Sequence, residues 1–97
     1  MRIVWTNSAQ VGLKKIYDYI LDHHSAKNAT KVINDLMHAV EKAKGNPEIY
    51  ASDKLKSNND GTYRAFEKHH IRISFRIHEE VIRVLRVRHT SRKPDKY

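Results

Sequence analysis

Between Ile71 and His78 the chain alternates without a break. Ile71, Ile73, Phe75 and Ile77 are apolar, and Arg72, Ser74, Arg76 and His78 between them are polar or basic. Strand side chains project to opposite faces with a period of two, so this segment predicts a strand with one oily face and one cationic face. The oily face needs a cover, and the upstream sequence supplies one. Leu13, Ile16, Tyr17, Ile20 and Leu21 recur at the i, i+3, i+4, i+7, i+8 spacing of an amphipathic helix over about Asn7 to Asp22. Asn7 or Ser8 is the expected cap, with Gln10 three residues after Asn7 resembling a capping box. After His23-His24-Ser25 the stripe resumes as Ala29, Val32, Ile33, Leu36, Met37 and Val40, capped by Ser25 and stopped by Gly45 ahead of Pro47.

The remaining segments complete a sheet. Arg2 to Thr6 and Tyr63 to Lys68 read as strands. His78-Glu79-Glu80 is a short turn, and Val81 to Val87 is β-branched on both faces, which predicts a more central strand. Glu48 to Gly61 has turn residues and no period, so it is expected to be a loop of the length that is often functional. Ser91 to Tyr97 is a basic tail. The order β-α-α-β-β-β predicts an α+β fold, a helical hairpin packed on one side of a small, mainly antiparallel sheet, with residues 1–97 forming one domain. A chain this short hides only about 60–65% of its unfolded surface, which supports one two-layer core and no second domain.

Composition narrows the function. No Cys is present, which removes disulfides, thiolate zinc sites and Cys nucleophiles and fits a cytoplasmic location. No apolar run approaches the ~20 residues of a membrane span, so neither a signal peptide nor a transmembrane helix is expected. The formal charge is +8, and it is uneven: residues 62–97 hold 10 of the 19 basic side chains against 4 of the 11 acidic ones. A polyanion or an acidic protein segment is the expected partner.

Arg72 and Arg76 share a face of one strand, and Arg86 and Arg88 share a face of the next. Guanidinium groups bind phosphate bidentately and stay charged when partly desolvated, so a phosphate-binding patch is expected where those faces coincide. His89, directly after Arg88, has a reference pKa suited to moving a proton during attack of an RNA 2'-hydroxyl on its phosphate. Tyr97, at the end of the tail, could stack on a base or take part in proton transfer. His23-His24 and His69-His70 lack metal-site spacing, and no nucleotide, zinc-protease or acyl-transfer motif occurs, so no metal or cofactor is expected.

The residues Ile3-Val4-Trp5-Thr6, Ile16-Tyr17-Asp18-Tyr19-Ile20, Asn46-Pro47, Tyr63-Arg64, Ile71-Arg72-Ile73-Ser74-Phe75 and Val84-Leu85-Arg86-Val87-Arg88-His89 together resemble the RelE/ParE toxin superfamily of bacterial type II toxin–antitoxin modules. The resemblance implies a toxin neutralised by a cognate antitoxin in a hetero-oligomer. It also implies either of two activities. In the RelE-like reading, favoured here, the chain is a metal-independent endonuclease that cuts mRNA on the ribosome. Arg72 then matches the main phosphate-stabilising arginine and Arg64 a basic position on the preceding strand. His89, Asp53 and Tyr97 match positions that some members use for proton transfer. Arg76, Arg86, Arg88, Lys54, Lys56, Arg92 and Lys93 would bind RNA. Phe66 departs from that pattern, where RelE proper has a lysine. In the ParE-like alternative the toxin poisons DNA gyrase and has no hydrolytic site. A second alternative is a non-catalytic nucleic-acid-binding module, which needs the same basic patch.

Overall fold

The computed structural model describes residues 1–97. The four expected strands and the two helical stripes form in the order β1 (Arg2–Trp5), α1 (Asn7–His23), α2 (Ala26–Lys42), β2 (Tyr63–Lys68), β3 (Ile71–His78) and β4 (Val81–His89), with a single 3-10 turn at Pro47–Ile49. The sheet order is β1-β4-β3-β2; β1 runs parallel to β4 and the other neighbours are antiparallel. The helical pair covers one face, as expected. Its buried residues Ala9, Ile16, Leu36 and Val40 pack with Ile71, Ile73, Phe75, Ile82, Val84 and Val87 from the sheet.

Neither Asn7 nor Ser8 caps α1; Thr6 does. Its Oγ1 accepts from the Ala9 amide at 3.1 Å, and Gln10 reaches back to the Trp5 carbonyl at 2.9 Å. Thr6 also ties the helix to the sheet. Its amide donates to the Val84 carbonyl and its hydroxyl to the Leu85 carbonyl, each at 3.1 Å. That second bond falls on an irregularity, because Ser74 faces Arg86 while Phe75 faces Val84 and Leu85 is left without a partner on β3. This β-bulge explains why β4 looks apolar on both faces: the inward set is Ile82 and Val84 before the bulge and Val87 after it. Ser25 caps α2 as expected, through the Asn28 amide at 3.1 Å.

The helices sit close to the sheet where Gly12 crosses β4. A Cβ at that position would lie 3.2 Å from the Val87 Cβ and closer still to the Val87 carbonyl oxygen. Only glycine permits this approach.

Both hairpins turn through two residues with positive φ: His69 and His70 (54° and 60°), then Glu79 and Glu80 (51° and 63°). Two-residue turns of this kind match the strand twist but favour Asn-Gly, since a Cβ is strained there. Replacing Glu79-Glu80 by Asn-Gly should therefore raise stability by about 1 kcal/mol, read as a higher urea midpoint at unchanged m-value. An unchanged or lower midpoint would refute the strain.

Candidate functional site: the arginine face and its strap

The register of the sheet decides what shares a face. Arg72 faces Arg88, Ser74 faces Arg86 and Arg76 faces Arg83, so all five arginines project from the side away from the helices. Arg83 was not singled out by its sequence position. Simple alternation puts an odd-numbered residue opposite Arg86 and Arg88, and the bulge at Leu85 reverses that parity. The three-residue gap between Val84 and Val87 was the available signal.

Like charges placed directly opposite destabilise a sheet unless carboxylates interleave, and three do. Asp60 lies 3.5 Å from Arg76 and Asp95 2.9 Å from Arg88. Asp53 lies 2.6 Å from Arg72, and its side chain is fully buried. Asp53 arrives there because the segment after the 3-10 turn is not a free loop. Ser52 bridges Arg64 on the outer edge of β2, the Asp53 amide donates to the Tyr63 carbonyl at 2.9 Å, and the Asn59 amide group binds Ser52 Oγ and the Tyr63 carbonyl at 3.0 and 2.9 Å. The segment thus extends the sheet edge and turns one carboxylate inward.

The basic tail folds back across this face. Arg86 donates to the Asp95 carbonyl at 3.1 Å, and the Tyr97 amide donates to the Leu55 carbonyl at 2.8 Å. The Tyr97 hydroxyl donates to Asp53 Oδ2 at 2.6 Å, while Arg72 and the Leu55 amide donate to Oδ1 at 2.6 and 3.0 Å. The Tyr97 ring lies between cations, with Arg86 4.5 Å and Lys56 5.4 Å from its centroid. A buried carboxylate therefore holds a strand arginine and the tail tyrosine together.

Three of the five residues expected to do chemistry, Asp53, Arg72 and Tyr97, are brought together. Arg64 is elsewhere, and His89 reaches only the rim of the cavity beneath the strap, at the end of β4. Arg64 pairs with Phe75 on the helix-facing side and donates to the Tyr50 carbonyl at 2.8 Å. His89 pairs with Ile71, and its Nδ1 lies 2.7 Å from Ser91 Oγ with the Tyr19 ring 6.0 Å away. Arg64 and Arg72 are thus separated by the thickness of the sheet and do not brace one phosphate together. Phe66 stacks on Tyr50 at 4.4 Å in the core layer. Of the basic residues, Arg76, Arg86 and Arg88 line the arginine face, while Lys54, Arg92 and Lys93 border that cavity of about 160 Å3 beneath the strap and Lys56 covers Tyr63. No three His, Asp or Glu side chains gather to hold a metal ion. No helix is long and apolar enough to cross a membrane.

The electrostatics suit a latch. Burial pushes the Asp53 carboxyl up, but hydrogen bonds from Tyr97, Arg72 and the Leu55 amide together outweigh it and hold the carboxyl below its ordinary value. Burial, then the hydrogen bond to Asp53 and its charge, push the Tyr97 phenol well above the ordinary tyrosine value. Both shifts move away from neutrality, whereas acid–base catalysis needs the opposite. Linkage gives a window for the latch. The depressed Asp53 contributes stability above its unfolded value that is lost as pH falls through the folded one. The raised Tyr97 contributes stability fully present below its unfolded value of about 10 and lost as pH rises beyond it. Strap docking, followed by hydrogen exchange of the Tyr97 amide, should hold from about pH 4 to about pH 10. Undocking between pH 6 and pH 8 would contradict it.

Residues 3–94 match the family model of the ParE toxin of the type II toxin-antitoxin system, parDE. Among solved structures, one described as the chromosomal ParDE TA system from P. aeruginosa is similar with a TM-score of 0.73 and 23% identity, over 92% of this chain and 95% of that one. At that identity the likeness concerns the fold. No curated protein matches the chain. The family match overturns the favoured expectation of ribosome-dependent mRNA cleavage. With it go the metal-independent endonuclease activity and the ribosome and mRNA as partners, because the match falls on the ParE side of the superfamily.

Proposed function

The chain belongs to the ParE toxin family of type II toxin–antitoxin systems, and on that premise we propose that it poisons DNA gyrase in the cytoplasm and is silenced by a cognate antitoxin. The observation that carries this reading is the family match over nearly the whole chain. The geometry is in keeping with it. The acid–base candidates nearest the arginine face, Asp53 and Tyr97, are occupied with each other, and His89, at the rim of the cavity, is held by Ser91. Toxicity in this reading comes from binding alone. The antitoxin reading also rests on charge: a chain of +8 attracts an acidic partner at long range and is neutralised by it in a hetero-oligomer.

Expression without the antitoxin should induce the SOS response and leave mRNA ends in translated frames unchanged. Purified protein should block supercoiling by gyrase and accumulate cleaved DNA complexes, and equimolar antitoxin should reverse both effects. Unimpeded supercoiling with the toxin in molar excess would refute the gyrase target.

A further inference from the structure

The arginine face carries more charge than the protein neutralises. Arg83, Lys54, Arg92 and Lys93 make no ion pair or side-chain hydrogen bond, although the latter three border the cavity beneath the strap together with Arg86 and Arg88. In the wall of that cavity Arg72 Nε is a buried donor with no acceptor, and such orphaned donors are rare in folded proteins. Burial first, and the Arg88 charge second, push the Arg86 guanidinium below its ordinary value, against the opposing pull of Tyr97, Asp95 and Asp53. The anions that reach the site belong to the chain itself: Asp53 on Arg72, Glu67 at the cavity wall, and Asp95, whose carboxylate lies on Arg88 and whose carbonyl lies on Arg86.

We propose that this face binds the phosphate backbone of duplex DNA, and that the segment Asp95–Tyr97 is an internal occupant that the DNA displaces. The choice of occupant follows from what the face lacks. Protein interfaces have apolar anchors and few charges at their centre, whereas DNA-binding surfaces are dense in cations. Here the centre is arginine, and the partly exposed apolar side chains of this surface, Val4 and Val81, lie at its β1 margin. Single-stranded nucleic acid is held by exposed aromatic platforms. The aromatic that stays on this face when the strap lifts, Tyr63, is already covered, by Lys56 at 4.7 Å and Arg76 at 4.9 Å. Guanidinium rows on neighbouring strands, unaided by stacking, suit phosphate oxygens that lie on the outside of a duplex. When the strap lifts, Arg86, Arg88 and Arg72 Nε gain acceptors and Arg83 extends the row toward the far end of β4. The site does not depend on the gyrase reading.

The test is fluorescence anisotropy of a labelled duplex titrated with the full chain, without gyrase, between about 50 and 200 mM salt. The chain should bind with a log–log salt slope of about −4, the value for four to five phosphate contacts. Arg83→Gln with Arg92→Gln removes two cations that hold nothing in the fold. It should weaken binding about tenfold or more and make the slope shallower by about 2. Asp95→Asn should strengthen binding about threefold, since the competing carboxylate is lost. Circular dichroism of each variant checks that the fold is kept. The proposal is overturned if the duplex does not bind at the lowest salt, if the double variant binds unchanged, or if the same sequence as a single strand binds more tightly. It is overturned as well if polyglutamate of equal charge competes as well as the duplex. Gyrase inhibition without duplex binding would remove this site and leave the gyrase reading intact; duplex binding without gyrase inhibition would do the reverse.

Discussion

Asp53→Ala should cost about 3 kcal/mol and lower the melting temperature by more than about 10 °C. The carboxylate is fully buried and accepts from Arg72, Tyr97 and the Leu55 amide. Truncating it leaves a guanidinium only 23% exposed, a phenol and a peptide N–H with no acceptor, and buried groups abandoned in this way cost more than the pair was worth. A comparison isolates that reason. Asp53→Ala combined with Arg72→Met should be less destabilised than Asp53→Ala alone, because the stranded charge is gone. Thermal unfolding of the three proteins decides it. If the double variant is the weakest, ordinary loss of packing rather than an uncompensated charge explains the effect.

Gly12→Ala should cost about 2 kcal/mol even though alanine is the better helix former by about 1 kcal/mol. The added methyl would overlap the Val87 carbonyl oxygen, a backbone atom in the central strand that cannot rotate away. Either α1 lifts from β4 or the strand bends, and each loosens the packing of Ile16 and Val87. Urea unfolding measures the loss. A stabilised Gly12→Ala would mean that helix propensity outweighs the close approach, and that α1 can ride further from the sheet without penalty.

The two helices and β3 were legible because each announces itself by a local period, and the other strands by their residue types. Leu13 to Leu21 and Ala29 to Val40 carry the helical stripe, and Ile71 to His78 alternates, so element type and order could be read from neighbours a few residues apart. The superfamily could also be read from short patterns in the right order. The branch could not. Arg72, Arg64, His89, Asp53 and Tyr97 are residue types that suit phosphate chemistry, and their presence alone suggested cleavage. The family match removed that activity, and the structure explains why residue type misled: Arg64 pairs with Phe75 and so faces the helices, while Asp53 and Tyr97 bind each other.

The sequence by itself determined the α+β element order, the excess of charge in the last third and the one strand with a cationic face. Only the tertiary structure decided which arginines share a surface, because a bulge at Leu85 inverts the parity of β4 and brings in Arg83. It alone placed Asp53 beneath Tyr97, 44 positions along the chain. The physical reason is range. A period of two or 3.6 is set by the geometry of adjacent peptide units, whereas register, burial of a lone carboxylate and docking of a tail are set by contacts between segments distant in the chain.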